Sequence, residues 1–419
     1  MRKVVPVVLD VLAVFFVARL SLFMLDASKP QHSFAPSSRW DLQHNCLTAY
    51  YVAANAVRTT PNVWDSALYS ASDDDPSQPR KPLTMGAFQV DVFEYPPPFL
   101  LLPKALSFVT PDFPKMRGLW FVLNVAGLLG GMLAIAKALG PGAGRRAMLL
   151  IPLVFLSPPT LSLLQKGNVQ GLIIAASMLA MLLFARGRPA LGGAILAFAI
   201  ASKIYPGLLV VYLIARREWR AVAWTAAFGI AWCLATLAAF GWAPWDAFLR
   251  HLPSILSGEA FPAFRRPAAV AINLSIPGLV FKSKLFGLPA MGFAISKAVG
   301  WVYTVVLLGA IVWVARRTVR PEHAPIVWLA ILLLGTLRSP FLPVGYAAVP
   351  AVWLLTLLAA TRELTPRSLV AVTAAWLALS VYLPTDVPID VRWLALIMFV
   401  PQAALVAIGW VGMRRPAPA

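Results

Sequence analysis

Long apolar runs alternate with short basic segments along most of the chain, and the rhythm is interrupted twice. Runs suited to crossing ~30 Å of hydrocarbon fall near 4–25, 117–137, 147–163, 167–185, 189–203, 205–215, 221–242, 296–316, 323–337, 345–361, 368–383 and 392–413. The pattern predicts twelve crossings with both termini on the cytoplasmic side. Runs 189–203 and 205–215 are short, which predicts tilt or a break at Pro206. The interruptions are a polar segment, 26–95, and a mixed segment, 243–296. Between them, 99–109 is apolar but too short to span and is bounded by prolines, so an interfacial or re-entrant helix is expected. The mixed segment carries amphipathic pieces around 245–252 and an apolar run at 268–281. No internal repeat is evident, which disfavours an inverted-repeat transporter. The expected fold class is an all-α polytopic membrane protein of about twelve transmembrane helices. It forms one integral domain over 1–419, with a long extracytoplasmic first loop, interfacial helices and no soluble part large enough for a separate core.

Composition agrees: 59% of the 419 residues are hydrophobic and 13% charged, which excludes an ordinary soluble domain. The net charge of +19 raises the question of nucleic acid, but its placement answers it. Basic clusters such as Arg145-Arg146, Arg216-Arg217, Arg316-Arg317 and Arg414-Arg415 follow apolar runs in loops nearly free of acid. That is the positive-inside pattern, so the charge reports topology rather than a nucleic-acid partner. Arg19 interrupts the first run and no small-residue cleavage site follows, so an uncleaved span is expected there. The basic, Ala/Leu/Val/Pro/Trp-rich composition fits a high-GC bacterium and hence its cytoplasmic (inner) membrane. Two cysteines and four histidines show neither a disulfide framework nor zinc-ligand spacing.

With the basic loops inside, the outer loops hold Asp41, Asp65, Asp73-Asp74-Asp75, Asp91, Glu94, Asp246 and Glu259. They also hold Lys166, Lys203, Arg250, Arg265, Arg266, Lys282, Lys284 and Arg338, so both signs of charge meet at one membrane face. An enzyme handling an anionic lipid needs that arrangement, whereas a transporter needs charge at the midplane.

Asp41 opens a helix-compatible stretch, 41–57, after Ser37-Ser38. A carboxylate there suits a general base that takes a proton from a sugar hydroxyl; the same position suits a first-turn acid on a helix dipole. His44, at i+3, would share its face and orient it or touch substrate, or lie on the surface. Asp73-Asp74-Asp75 suits a hard cation or a solvated loop. The prolines of Glu94-Tyr95-Pro96-Pro97-Pro98 impose an extended entry to the interfacial helix, leaving Glu94 and Tyr95 open to substrate contact. Lys166-Gly167-Asn168 and Lys203-Ile204-Tyr205-Pro206 form successive outer turns, and Arg338 lies in a third. Lysines at such depth either hold an anionic group such as a lipid phosphate or snorkel to the interface. Arg265 and Arg266 suit a phosphate or anionic headgroups.

Taken in order, these pieces resemble glycosyltransferase family 87, whose best-known members are mycobacterial α-1,2-mannosyltransferases. The matching elements are Asp41-Leu42 with Tyr50-Tyr51, Tyr95-Pro96-Pro97, Lys166-Gly167-Asn168, Lys203-x-x-Pro206, Asn273-x-Ser275 and Ser339-Pro340. The resemblance implies a GT-C fold and inverting, metal-independent transfer without a cofactor. The donor would be a polyprenyl-phosphate sugar and the acceptor a lipid or glycolipid, meeting at the outer membrane face. It makes Asp41 the base, with Lys203 and nearby basic residues holding the phosphate; residue reading and resemblance together make His44, Glu94, Tyr95, Lys166, Asn168, Arg265, Arg266, Asn273, Arg338 and Tyr346 the candidate substrate contacts. One departure stands out: the family often has a histidine after Ser-Pro, where this chain has Phe341 through Tyr346. Either Arg338 or Tyr346 replaces it, or the donor differs. The alternative reading is a transporter or flippase for a polyprenyl-phosphate-linked lipid. A membrane acyl- or phosphoethanolamine transferase is disfavoured, because the sequence shows no nucleophile with an adjacent base and no metal cluster.

Overall fold

The computed structural model describes residues 4–60, 62–71, 81–289, 291–317, 320–362 and 365–414, so the Asp73-Asp74-Asp75 run lies outside the described residues. Each of the twelve apolar runs coincides with helix. Among the described residues five helices are long and apolar enough to cross a membrane: Pro6–Leu25, Phe113–Ala138, Trp219–Phe240, Phe293–Ala315 and Val391–Arg414. The run expected as one span at 147–163 is instead two helices, Pro141–Phe155 and Pro158–Lys166, bent by 67° and making a sixth span if counted together. Pro158 and Pro159 cause the break, because proline lacks the N–H for the helical ladder and crowds the residue before it. The remaining runs fold as shorter apolar helices, including Gln170–Ala185, Pro189–Ser202 and Val344–Ala360.

Two of the shorter helices form the centre of the bundle. Ala324–Thr336 is buried from Pro325 onward, and Val344–Ala360 is buried throughout except at Tyr346. A helix that is apolar all round belongs inside a protein. The outer helices show the converse, exposing Val14, Phe15, Ile230, Val302, Val305 and Val370. A surface this apolar suits lipid tails rather than water.

The first loop differs from the expectation in two ways. Its stretch 41–57 is not one helix: Arg39–Gln43 ends at a short strand, β1 (His44–Asn45), and a second helix runs Leu47–Ala56. His44 therefore leaves the helix instead of sharing a face with Asp41. β1 pairs in parallel with β3 (Phe88–Val90), which pairs antiparallel with β2 (Thr84–Met85). Nor is the loop merely polar. Tyr50, Trp64, Tyr69, Phe93 and Phe99 build an apolar cluster that continues into Trp120, Ile173 and Ala199 of the bundle. The loop is a folded cap whose apolar core is shared with the helix ends on which it sits. As expected, 99–109 is a short helix, entered by a 3-10 turn at Pro97–Leu100, with Phe108 and Val109 exposed.

Small residues set how closely the helices approach. A Cβ on Gly193 would stand 2.7 Å from the backbone of Trp224, and one on Gly131 would stand 2.8 Å from the Ala175 Cβ. Close backbone approach is the usual source of helix association in lipid. Gly193→Val should therefore overpack the contact between Pro189–Ser202 and Trp219–Phe240, costing about 1–3 kcal/mol. Gly130→Ala, whose added Cβ meets nothing within 4 Å, should leave stability unchanged or slightly raised. Thermal unfolding of both variants in detergent checks this, and equal melting temperatures would refute the packing argument.

Candidate active site

The Gln165-Lys166-Gly167-Asn168 turn closes the Pro158–Lys166 helix and grips the cap. Gly167 has φ +64°, the left-handed cap conformation, and a Cβ there would press on Asn45 and Trp120. Its carbonyl accepts from Trp120 Nε1 at 2.7 Å. The Gln165 amide donates to the Asp41 carbonyl at 2.8 Å and its Oε1 accepts from Ser33 Oγ and Phe34 N. The Lys166 carbonyl accepts from Cys46 N at 2.7 Å. Asn168 Nδ2 donates to Tyr95 Oη at 3.2 Å.

Lys166 Nζ lies 2.9 Å from Asp41 Oδ1, and the Asp41 side chain is 1% exposed. The same oxygen accepts from Tyr382 Oη at 2.5 Å, and Lys166 also donates to Tyr382 at 3.0 Å. Asp41 Oδ2 is buried and has no hydrogen-bond partner. The backbone N–H of Asp41 donates to Ser38 Oγ, the N-cap of its short helix. Ser38 Oγ and Trp40 N both donate to Asp386, so the last loop braces the first. Burial alone would raise the Asp386 pKa, but those bonds outweigh it and hold the carboxyl below its ordinary value.

Beside this triad opens a cavity of about 1080 Å³. Trp40, His44, Lys166 and Tyr382 line it, and Asp41 lies directly behind them. Lys203 stands in the break between Pro189–Ser202 and the turn at Tyr205, half-buried, its Nζ 5.0 Å from the Tyr95 ring centroid and 5.4 Å from that of Tyr346. Among the described residues no carboxylate pairs with it, and none pairs with Arg265, Arg266 or Arg338 of the same cavity. Arg338 donates to Thr304 Oγ1 at 2.9 Å. Arg266 lies over the Trp40 ring at 5.8 Å. Among the described residues five cations and three carboxylates line the cavity, namely Lys166, Lys203, Arg265, Arg266 and Arg338 against Asp91, Glu94 and Glu259. Leu208 and Val211 continue its wall into the bundle.

Most of the residues singled out from sequence thus converge on one cavity. Asn273 does not line it. It is fully buried, its Oδ1 accepting from Ser275 N and Leu342 N and its Nδ2 donating to the Pro340 carbonyl, so it shapes the Ser339-Pro340 turn from behind. Sequence reasoning passed over Trp40, Cys46, Asp91, Tyr382 and Asp386. The signal for the last two was available: the polar stretch between the final two apolar runs falls on the same face as the first loop.

The family model of glycosyltransferase family 87 matches residues 93–343, more than half of the chain. The chain belongs to glycosyltransferase family 87. No curated protein matches it. The matched segment carries Glu94, Tyr95, Lys166, Asn168, Lys203, Arg265, Arg266 and Arg338, while Asp41, His44, Tyr346 and Tyr382 lie outside it.

In this family 87 glycosyltransferase Glu94 of the cavity wall pairs with a histidine, His251, that is not itself part of the lining. Glu94 Oε2 lies 3.0 Å from His251 Nε2, and Glu94 Oε1 is buried without a partner. Burial raises the Glu94 pKa above its ordinary 4.5, and His251 offsets only part of that. The folded chain therefore holds this proton more tightly than the unfolded chain does. The contribution to stability grows as pH falls through the raised pKa towards 4.5, and is constant below it. Glu94→Gln should remove this component, so its melting temperature should vary less with pH across that window than the wild type's. Superimposable profiles for the two proteins would refute it.

Proposed function

We propose that this glycosyltransferase moves a hexose, with mannose favoured by the family resemblance, from a polyprenyl-phosphate sugar to a lipid or glycolipid acceptor. The reaction is set at the extracytoplasmic face of a bacterial cytoplasmic membrane, on a GT-C-like bundle of about twelve crossings. The observation that carries this reading is the charge of the cavity. Four of its five cations have no carboxylate partner among the described residues, so an anionic occupant is favoured. Lys203 between two tyrosine rings suits a phosphate as a point charge. The apolar wall at Leu208 and Val211 suits the first units of a prenyl chain.

In this mechanism Asp41 is the general base. Lys166 and Tyr382 hold Oδ1, which fixes the carboxylate and leaves Oδ2 to take the acceptor's proton. The acceptor oxygen forms its bond to the anomeric carbon as the carbon–oxygen bond to polyprenyl phosphate breaks. The phosphate leaves as an anion against Lys203 and the cavity arginines, and the anomeric configuration inverts. The acceptor hydroxyl reaches Oδ2 past Trp40, His44 and Tyr382, so a shift in that wall is part of the cycle. Of the substrate contacts, Tyr95, Asn168 and Tyr346 belong to one hydrogen-bonded group with Cys46 below Lys203.

The test is transfer by the full-length protein in nanodiscs, from a panel of labelled polyprenyl-phosphate sugars into host lipids. Asp41→Asn keeps size and polarity and should slow transfer about 10²–10⁴-fold with the fold intact. Lys203→Met should raise KM for the donor by about 10–100-fold, the loss of a charge-assisted contact. Transfer at the wild-type rate in Asp41→Asn would remove Asp41 from the chemistry. Unchanged donor KM in Lys203→Met would remove that lysine from the phosphate site.

A further inference from the structure

His44, Cys46 and Asp91 come together on the cavity wall although their spacing in the sequence signals no metal. Their donor atoms lie within 4.8 Å of one another. His44 Nε2 is 3.7 Å from Cys46 Sγ and 3.7 Å from Asp91 Oδ2. The second distance is too long for a hydrogen bond. For a tetrahedral zinc ion, with Zn–N and Zn–O near 2.0–2.1 Å and Zn–S near 2.3 Å, the ligand–ligand edges are about 3.3–3.6 Å. A contraction of a few tenths of an ångström would bring the two edges from His44 to those lengths, while the edge from Cys46 to Asp91, which is within 4.8 Å, closes by up to about 1.2 Å.

The small sheet creates this convergence. His44 and Cys46 are two residues apart, His44 extended in β1 and Cys46 in the turn that starts the next helix, with φ −63° and ψ −23°. β1 pairs with β3 in the register His44↔Gln89 and Asn45↔Val90, and Cys46 and Asp91 are the residues that follow the two strands where the ladder ends. The groups behind the donors resemble those that orient metal ligands. Trp40 stacks on the His44 ring at 4.6 Å and 15°, fixing its plane. Asp91 Oδ1 accepts from Val92 N, leaving Oδ2 towards the histidine. Tyr346 Oη at 3.2 Å and Asn168 Nδ2 at 3.5 Å support the sulfur. Such outer partners tune ligand orientation and affinity.

We propose that His44, Cys46 and Asp91 form a binding site for a borderline-soft divalent cation, zinc being the best match, with its fourth position open to the cavity. The nitrogen, sulfur and oxygen donor set favours zinc over magnesium or calcium, which take oxygen ligands. Three protein ligands and an open position are the pattern of a site that binds an exogenous oxygen, here water or an oxygen of the cavity's occupant. Thiolate and carboxylate together cancel the ion's charge, so it is compatible with Lys166 and Arg266 close by. The inference is independent of the proposed donor and of Asp41's role, because it rests on donor geometry alone. It departs from the metal independence that the family resemblance implies.

The experiment uses the full-length protein in detergent, with any polyhistidine tag removed. Cys46 and Cys233 are the only cysteines, so a cobalt–thiolate absorption band has just two possible sources. Co²⁺ should give that band in wild type and in Cys233→Ser, and Zn²⁺ should displace it. Metal analysis after dialysis against zinc should find one ion per chain in both proteins, and close to none in His44→Ala or Cys46→Ser. Where Cys46→Ser fails to fold, alkylation of the folded Cys233→Ser protein gives a second readout: Zn²⁺ should slow Cys46 modification at least tenfold. No cobalt–thiolate band in the wild type, a band that survives Cys46→Ser, or alkylation indifferent to saturating zinc would each overturn the site.

Discussion

The buried ion pair between Lys166 and Asp41 is the interaction on which the rest of this site depends. Removing one member of such a pair typically costs 3–5 kcal/mol, because the survivor stays buried and uncompensated. Here the pair joins the bundle, through the end of Pro158–Lys166, to a cap from the first loop. Tyr382 Oη bonds both partners, bringing in the last loop as well. Three segments distant in sequence are thus fixed at one point. The neighbouring Gln165 and Asn168 repeat the pattern, each side chain satisfying a different part of the cap. If Lys166 moved, the Asp41 carboxylate would lose its charge partner and the Cys46 N–H its acceptor.

The proline break at Pro158 makes this clamp possible. A straight span over 147–163 would carry Lys166 on along the helix axis, whereas the 67° bend turns Pro158–Lys166 across the end of the bundle. Gly167 then reverses the chain in the left-handed conformation, and its carbonyl reaches Trp120. Lys203 arises from the same device. The chain breaks after Ser202 and resumes as a 3-10 turn at Tyr205–Gly207, which leaves the lysine between helices and under two tyrosine rings. Breaks in apolar helices place polar groups where a continuous helix would hold only lipid-facing or core side chains.

How much was legible in the sequence follows from the range of each signal. Hydropathy located every helix-forming apolar run, because burial or lipid exposure of a whole helix needs an uninterrupted apolar segment. Order along the chain brought Glu94, Lys166, Lys203 and Arg338 to one face, since each sits in a turn on that side. The loop's interior was not legible. Its helix-compatible stretch ends at His44 because β1 pairs with a strand more than forty residues on, and nothing local announces that partner. Asn273 looked like a contact residue because a short polar motif does not reveal whether its side chain faces the cavity or ties down the backbone behind it. His44, Cys46 and Asp91 were invisible as a group for the reason β1 was, as spacing rules detect only ligands brought together by local structure.

Charge distribution links these local facts to what the cavity can hold. The chain tends to give its acids partners: Asp41 has Lys166, Glu94 has His251, Asp246 has Arg250, and Asp386 has the N–H and hydroxyl donors of the first loop. Its cavity cations are treated differently. Lys203 rests on aromatic faces, Arg266 lies over Trp40, and Arg338 spends one donor on a hydroxyl. An aromatic face or a hydroxyl steadies a cation without neutralising it, so each keeps most of its charge for another anion. Lys166 and Lys203 are partly withdrawn from water, which strengthens their pull on an anion, whereas Arg265 and Arg266 are exposed. Asp41 lies outside the cavity lining, its unpartnered Oδ2 buried behind Trp40, His44 and Tyr382. On the proposed mechanism, such a base kept dry beside a positively charged pocket favours departure of an anionic group over hydrolysis, because the proton acceptor is exposed only to what displaces that wall.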